Sequence, residues 1–470
     1  MYNAYITRIK NLRKHSNADR LQCGECFGNT VVVSLDYVDN QLGVYFPTDG
    51  QLSVEFAEKN NLLRKKDENG NNIGGYMDPD KRNVTTIRLR GEKSDGLFLP
   101  ITSLEAFGDI SKLAEGDIIN VFNGHEICKK YIPKTTKRTG HPTDGNRTRK
   151  KKDPIAPLFA EHADTEQLAY NLGAFKPGDE IEITLKMHGT SQRTGYLPRL
   201  TGYKRTLLDR ILRRPGKPIY EYGYVSGTRR VVLGDFDGEG FYGSNAFREQ
   251  HAKKFEGKLM KGETVYYEVV GFTDTGAPIM GNCENKKLND KDFIKQYGET
   301  TCFSYGCAPT GKQVMINENA SITDRDFAVE FDVPVSDCYV YRMTMTNEDG
   351  FVVEYTPDFM RYRCEQMGIK TVPVFYKGIL PSEEEVKVLE ESGLTMPTAS
   401  DIILNAAEKF YDGPDPIGQT HVREGVVVRI LNRPKFCAYK HKNFAFKCLS
   451  GIAVDNIDPN SVSEDILAEM

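Results

Sequence analysis

Between Lys129 and Lys152 the chain carries ten lysines and arginines against a single acid, Asp144, in the segment KKYIPKTTKRTGHPTDGNRTRKKK. Pro, Gly, Thr and Asn fill the spaces, and no apolar period of 2 or 3.6 residues runs through it, so neither a helix nor a strand has a face to bury there. Such a stretch reads as a basic linker, and it divides the 470 residues into a shorter leading part and a longer trailing one. The whole chain sums to −4, so the +9 of this segment leaves about −13 on the remainder. Two readings stand for the linker: a solvated tether, or a strap that attracts phosphates.

Before the linker, residues 1–126 alternate short apolar runs with turns: LQCGECFG, TVVVSLDYV, QLGVYFPTDG, VTTIRLRGEKSDGLFLP and GDIINVFNG. Five such runs at short spacing predict a small all-β barrel. Within them, HSNADRLQ (15–22) and IRLRGEKSDGLFLP (87–100) resemble phrases of OB-fold tRNA-binding domains, which implies an OB fold that binds RNA; a barrel that only buttresses its neighbour is the alternative. Cys23 and Cys26 form the only C-x-x-C among ten scattered cysteines, and nothing completes a four-ligand zinc set, so reduced core thiols are expected. No run of about 18 apolar residues occurs, and the first residues lack a signal-peptide core. A soluble intracellular protein without a membrane partner is therefore expected.

After the linker (127–154), residues 155–450 mix helix and strand signals, and an acidic tail fills 451–470. AFREQHAKKFEGKL puts Phe247, His251, Phe255 and Leu259 four apart on one helical face, so His251 reads as a packing residue. Strands are expected at ETVYYEVVGF, DCYVYRMTMT, FVVEYT and EGVVVRIL, and a helix at ASDIILNAAEKFY. The order predicts an α+β fold with a largely antiparallel sheet. YKRTLLDRILRRPGKP (203–218) is a second basic stretch, in which Leu207, Leu208, Ile211 and Leu212 suggest a short amphipathic helix.

Several apolar strands in this part each hold one charged side chain: Lys186 in ITLKMHGTS, Glu268 in TVYYEVVGF, Glu424 in REGVVVRI, and Lys440 with Lys442 in AYKHKNFAFK. One such residue would be an exposed strand position, or a lysine snorkelling to water. Taken in order with Tyr224-Val-Ser-Gly-Thr-Arg229, the set resembles the covalent nucleotidyltransferase superfamily of ATP-dependent ligases and capping enzymes. Its pattern runs K-x-[DH]-G, an Arg-bearing phrase, an acidic strand, E-G and K-x-K. Lys186-Met-His188-Gly189 followed by Thr190 and Ser191 is similar to the K-x-H-G-T-[NS] of phage-type RNA ligases. An OB domain ahead of the transferase domain, with only 28 residues after Lys442, resembles RNA ligases of phage and amoebal type rather than DNA ligases or capping enzymes.

The resemblance implies a three-step reaction: AMP moves from ATP to Lys186, then to an RNA 5′-phosphate, and a 3′-hydroxyl finally displaces it to seal the RNA. An amine attacks phosphorus only when unprotonated, and desolvation beside cations such as Lys440 and Lys442 is expected to favour that form. By the same resemblance Arg229 holds the 5′-phosphate, with neighbouring Arg230 as alternative. Lys440 and Lys442 contact the α-phosphate, and Tyr341 stacks on adenine, with Phe303 as runner-up. His188 and Gly189 lie against the nucleotide, and Glu268 and Glu424 hold ribose hydroxyls or a Mg2+ or Mn2+ ion. A monomeric cytoplasmic enzyme, phage-encoded or otherwise, with ATP and RNA as its ligands is what this type implies. Other readings are a DNA ligase, a guanylyltransferase, or an RNA-binding relative without activity.

Overall fold

The computed structural model describes residues 2–66, 72–131, 156–163, 165–206, 216–233, 236, 242, 244–316, 328–392, 398–451 and 453–454. Most of the basic linker, the four apolar residues expected to form an amphipathic helix at 207–212, and the acidic tail after 454 lie outside them. Contacts divide the chain into two compact units, residues 1–142 with 284–299 and 444–470, and residues 143–283 with 300–443. Two pieces of the segment read as one catalytic domain over 155–450 thus belong to the leading unit.

In the first unit the strands Leu97–Pro100, Leu42–Phe46, Ala4–Arg8 and Ile118–Ile119 form one sheet, and Lys10–Lys14, Leu21–Cys26 and Asn29–Ser34 another. Ile6, Val44, Phe46, Phe56 and Leu104 are fully buried between its elements, each worth about 1.5–3 kcal/mol against exposure. The described strands pair as open, mostly antiparallel sheets, and closure of these into a barrel is not shown among the described residues. The two phrases singled out by resemblance do meet, His15 Nε2 lying 3.1 Å from the Leu89 carbonyl, and just ahead of the first of them Arg13 donates to both oxygens of Glu92 at 2.9 and 2.8 Å. Cys23 and Cys26 are buried, and three residues along a strand puts them on opposite faces, which rules out a shared metal. The helix Phe444–Leu449 is tied in by Arg88 and Lys93 over the Phe444 ring at 5.3 and 5.2 Å.

The second unit has eleven strands that matter here: β1 (Glu166–Gln167), β2 (Glu180–Leu185), β3 (Thr190–Lys204), β4 (Lys217–Thr228), β5 (Val232–Leu233), β6 (Glu263–Gly271), β7 (Ser336–Thr346), β8 (Val352–Glu354), β9 (Val374–Ile379), β10 (Gly425–Ile430) and β11 (Ala438–Lys442). They pair as a six-stranded sheet, β5-β4-β3-β6-β7-β8, and a five-stranded sheet, β1-β11-β10-β2-β9. All these pairings are antiparallel except β1 with β11. This is the α+β, mostly antiparallel arrangement expected.

Alternation decides what each sheet shows to the cavity. Ile181 and Ile183 of β2 pack with Val426, Val428 and Ile430 of β10 and with Ile403 and Ala407 of the helix Ala399–Tyr411. That helix begins where the sequence places it, held by a reciprocal cap between Thr398 and Asp401, worth about 1 kcal/mol. Because successive strand side chains alternate, Glu182, Thr184 and Lys186 face the other way. In the six-stranded sheet Val265, Tyr267 and Val269 pack with Phe247, Phe255 and Val340, which turns Glu268 to the opposite face. His251 is buried in that core, its Nε2 2.9 Å from Ser336 Oγ, and burial pushes its pKa down to about 3, so it packs as expected.

Candidate active site

A cavity of about 520 Å³ opens within the second unit. Its floor is the face of the five-stranded sheet, ordered in cross-strand rows. Thr184 stands opposite Val427, and Val427 opposite Lys440; Glu182 stands opposite Arg429, and Arg429 opposite Ala438. Lys186 follows β2 directly, its N–H still bonded to the Gly425 carbonyl at 3.0 Å, and Lys442 pairs with Gly425 on the far side. The three lysines of the sequence pattern therefore cluster at one end of the cavity because β2 and β11, the two neighbours of β10, present them there.

Glu424 lies behind this cluster, 2% exposed and outside the cavity wall. Its Oε1 is 2.7 Å from Lys186 Nζ and 3.5 Å from Lys442 Nζ, and its Oε2 is 3.5 Å from His188 Nδ1. Burial alone would raise this carboxyl, but Lys186, His188 and Lys442 hold it well below the usual carboxylate range, so it stays ionised. Gly425 makes the placement possible: its φ is +145° and a Cβ there would meet the His441 carbonyl at 2.1 Å. The Asn443 N–H donates to the Glu424 carbonyl at 2.9 Å, fixing the residue from the opposite strand. Lys186 is thus not an amine desolvated among cations alone, as expected from sequence; its nearest charge is a carboxylate.

The opposite wall comes from the six-stranded sheet. Ser191 pairs with Glu268 across β3 and β6, and Ser191 Oγ lies 3.0 Å from the Tyr341 hydroxyl. Burial raises the Glu268 carboxyl to about 7, against the pull of Lys186 and with the push of Glu424. Gly189 joins the two walls. A Cβ at this position would meet the Val269 carbonyl at 2.4 Å, so the glycine is needed for the turn to lie against β6 rather than only against a ligand. Thr190 Oγ1 accepts from Arg248 Nη2 at 2.6 Å, which holds the start of β3.

Of the residues expected from sequence, Lys186, Gly189, Arg229, Glu268, Tyr341, Lys440 and Lys442 all line the cavity, whereas Arg230 does not. His188 and Glu424 stand behind it. Tyr341 and Phe303 are separated by the fold: Tyr341 is on the wall, while Phe303 is 2% exposed, edge-on to His188 at 4.7 Å and to His421 at 5.0 Å. Phe303 and Tyr305, whose hydroxyl accepts the His188 N–H at 2.7 Å, instead back the turn that carries His188. Residues not singled out in the sequence close the other end: Glu182, Arg361, Arg429, Phe436 and His162. Alternation of Glu182 with Ile181 and Ile183 in EIEITL was the one available signal, and it reads equally as a solvent-facing strand edge.

Among the described residues no group of three or more His, Cys, Asp or Glu could cage a metal ion. Glu268 is the carboxyl on the wall nearest the lysines, and such a site suits an ion that arrives with phosphates and needs one or two protein carboxylates.

No family model matches the sequence, and no curated protein matches it. Solved structures do. A lysine-to-methionine variant of Naegleria gruberi RNA ligase with AMP and Mn is similar over 94% of this chain and 97% of that one, at 16% identity and a TM-score of 0.50. The same ligase with PPi matches over the same shares at 15% identity and a TM-score of 0.50. An arginine-to-alanine variant with ATP and Mn gives 16% identity and a TM-score of 0.51 over 94% and 97%. The likeness runs nearly end to end through both units and is one of fold: this chain is built as those RNA ligase structures are.

Proposed function

We propose that this chain is an ATP-dependent RNA ligase that works through a lysyl-AMP intermediate. The observation that carries the proposal is the Lys186–Glu424 pair at 2.7 Å, set at the end of a cavity that Lys440, Lys442, Arg229 and Glu268 line. Support comes from the shared fold and from the AMP, ATP, PPi and Mn with which those ligase structures were solved.

The Lys186 ammonium gives up a proton to solvent, and Glu424 holds the nitrogen in place through that loss. The amine's lone pair forms a bond to the α-phosphorus of ATP as the bond to the β-phosphate oxygen breaks, and pyrophosphate leaves. Lys440 and Lys442 offset the charge that builds on the α-phosphate oxygens. Tyr341 and Val427 face the space where the base lies. An RNA 5′-phosphate held by Arg229 then displaces Lys186 from phosphorus, and a 3′-hydroxyl attacks the activated 5′ end and releases AMP. A Mg2+ or Mn2+ ion brought in with the nucleotide offsets triphosphate charge when bound, and Glu268 would hold it. Glu424 already holds Lys186 through Oε1 at 2.7 Å, so we assign it first to the lysine. The first unit we read as an OB-type module that holds RNA, on the strength of the two phrases that meet at His15 and Leu89.

The test is incubation with α-labelled ATP or GTP and a divalent metal, followed by a denaturing gel and a sealing assay on nicked RNA. Label from ATP alone, together with sealing, is the expected outcome. Label from GTP would make the protein a capping-type enzyme, label with sealing of DNA only a DNA ligase, and no label an inactive relative.

A further inference from the structure

We propose that Tyr305 is a positioning residue for the attack of Lys186 on ATP: its hydroxyl fixes the turn that carries Lys186 and His188 against the loop that carries Glu424. The reaction step named here rests on the function proposed above.

The pairing of β2 with β10 runs out at Lys186. Its N–H is bonded to the Gly425 carbonyl at 3.0 Å, and the chain then leaves the sheet through Met187, His188 and Gly189. On one side this turn lies against β6, where a Cβ on Gly189 would meet the Val269 carbonyl. On the other side the His188 N–H donates to the Tyr305 hydroxyl at 2.7 Å, and the Phe303 ring stands edge-on to the His188 ring. A side chain takes over where strand pairing stops.

Tyr305 reaches that N–H through an unusual backbone. Its φ is +50° and that of Gly306 is +77°, a left-handed conformation that bulky side chains rarely adopt. Glycine at 305 would relieve the strain and lose the hydroxyl. The residue is 2% exposed, and burial, reinforced by Glu424, Asp415 and Glu268, pushes its pKa up, so the phenol stays protonated and serves as a fixed dipole rather than as a base. Strain held at a buried polar contact beside a cavity is the pattern of a functional constraint.

What braces Tyr305 is the loop that ends on Glu424. Residues 413–423 fold back on themselves through bonds from the Asp415 N–H to the His421 carbonyl at 2.8 Å and from the Arg423 N–H to the Gly413 carbonyl at 3.0 Å. Within the loop the buried Asp415 carboxylate accepts the Ile417 N–H at 2.8 Å. His421 packs edge-to-face on Tyr305 at 4.4 Å and on Phe303 at 5.0 Å, and Ser304 Oγ lies 3.0 Å from Thr420 Oγ1. A Cβ on Gly418 would meet the Gly306 nitrogen at 2.4 Å, so the two loops interlock. Tyr305 therefore ties the turn of the nucleophile to the loop of its carboxylate.

That tie bears on one step more than on another. In AMP loading the Lys186 nitrogen must itself meet phosphorus, and an offset of about 1 Å costs about a hundredfold. In sealing, the 3′-hydroxyl oxygen bonds to the 5′-phosphorus, AMP departs with the electrons of the bond that breaks, and the hydroxyl proton goes to solvent. Lys186 forms no bond in that step.

The test uses the full chain. Tyr305→Phe keeps the ring and removes the acceptor of the His188 N–H. At saturating α-labelled ATP its labelling should be about tenfold slower, with the half-saturating ATP concentration within about twofold of wild type. Sealing of nicked RNA that already carries a 5′-adenylate, without ATP, should stay within about twofold. Hydrogen exchange followed by mass spectrometry should quicken over residues 186–190 and not over the helix Ala399–Tyr411. Thr420→Val, which loosens the interlock from the loop side, should give the same split at about threefold, and it carries the test if Tyr305→Phe does not fold. Labelling within about twofold of wild type would overturn the proposal. So would equal losses in labelling and in sealing of adenylated RNA, which would make Tyr305 a support of the fold alone, and so would unchanged exchange over 186–190. A wild type that takes no label from ATP sinks the ligase reading instead, and exchange over 186–190 then decides alone whether Tyr305 holds the turn.

Discussion

Glu182 and Lys186 put β2 at both ends of the cavity, and the two ends carry different charge balances. At the far end Glu182, Arg361 and Arg429 line the cavity and join a network with Arg342, Glu354 and Asp358 behind it: Arg342 donates to Glu354 at 3.1 and 3.0 Å, Arg429 lies 3.9 Å from the same carboxyl, and Arg361 lies 2.7 Å from Glu182 and 2.6 Å from Asp358. At the near end Lys186, Lys440, Lys442 and Arg229 face one firmly ionised carboxylate, Glu424, and one carboxyl, Glu268, that is half protonated near neutral pH. A balanced network completes itself and fixes the strands; an excess of cations is complete only with an anionic ligand. That difference supports the proposal that the near end does phosphate chemistry while the far end shapes the pocket, and it can be broken by substitution.

The largest effect expected is at Lys186. Lys186→Ala should abolish covalent AMP transfer, because Lys440 and Lys442, although on the same floor, are both on β11, two strands away from β2. Label on the purified variant, seen by gel or intact mass, would show that the amine is supplied elsewhere. Next come the carboxyls. Glu424→Ala leaves Lys186 and Lys442 without their shared partner and should lower the labelling rate by orders of magnitude, as should Glu268→Ala through the phosphates. Variants of both that fold and label within a few-fold of wild type would remove the contrast between the two ends.

How much of this was legible beforehand differs by end. Lys186, Glu268, Glu424, Lys440 and Lys442 could be read because a lone charge in an apolar strand is locally anomalous, and strand pairing then brings such residues into register. Glu182 could not, since a carboxylate alternating with Ile181 and Ile183 is what an exposed strand shows, and its burial depends on Arg361, 179 positions away. Phe303 and Tyr341 look alike in sequence, and only the fold puts one behind the His188 turn and the other on the wall. The α+β class and the helix from Ala399 to Tyr411 followed from periodicity and capping. Whether the leading strands close into a barrel did not, because closure is a property of long-range pairing. Nor did the membership of 284–299 and 444–470 in the first unit, which rests on contacts such as Lys447 with Asp95 at 3.7 Å.

That last contact refines a test of the first unit. A fragment of residues 153–443 keeps every cavity residue and the Asn443 bond to Glu424, whereas one running to 470 would carry the helix Phe444–Leu449 without Arg88, Lys93 and Asp95. The shorter fragment should take label from ATP within several-fold of the full chain but seal nicked RNA about a hundredfold more slowly, because alignment of the 3′-hydroxyl is lost. Full-length sealing should also fall more steeply with salt than labelling does. Equal sealing by fragment and full chain across a salt series would reduce the first unit to a support.

A smaller effect separates two neighbours. Arg229 lines the cavity and Arg230 does not, so Arg229→Ala should slow transfer of AMP to RNA about tenfold or more, and Arg230→Ala no more than about twofold, in single-turnover assays. Equal losses would mean that the two exchange places when RNA binds.

The smallest expected effect is a slope, and it sets the two carboxyls of the near end against each other. Burial raises Glu268 from the ordinary 4.5 to about 7. Between those values the folded protein holds a proton that the unfolded chain has lost, so its contribution is fully present below about pH 4.5 and is lost as pH rises through 7, by up to about 3 kcal/mol. Glu424 is shifted the other way, so its contribution is present above about pH 4.5 and is lost as pH falls below it. Urea midpoints from pH 5 to 8 should therefore decline less in Glu268→Gln than in wild type, while Glu424→Gln should leave that decline in place and flatten the loss on the acid side. If Glu268→Gln keeps the wild-type slope, Glu268 is ionised throughout this range, and the near end holds one more fixed negative charge than its geometry indicates.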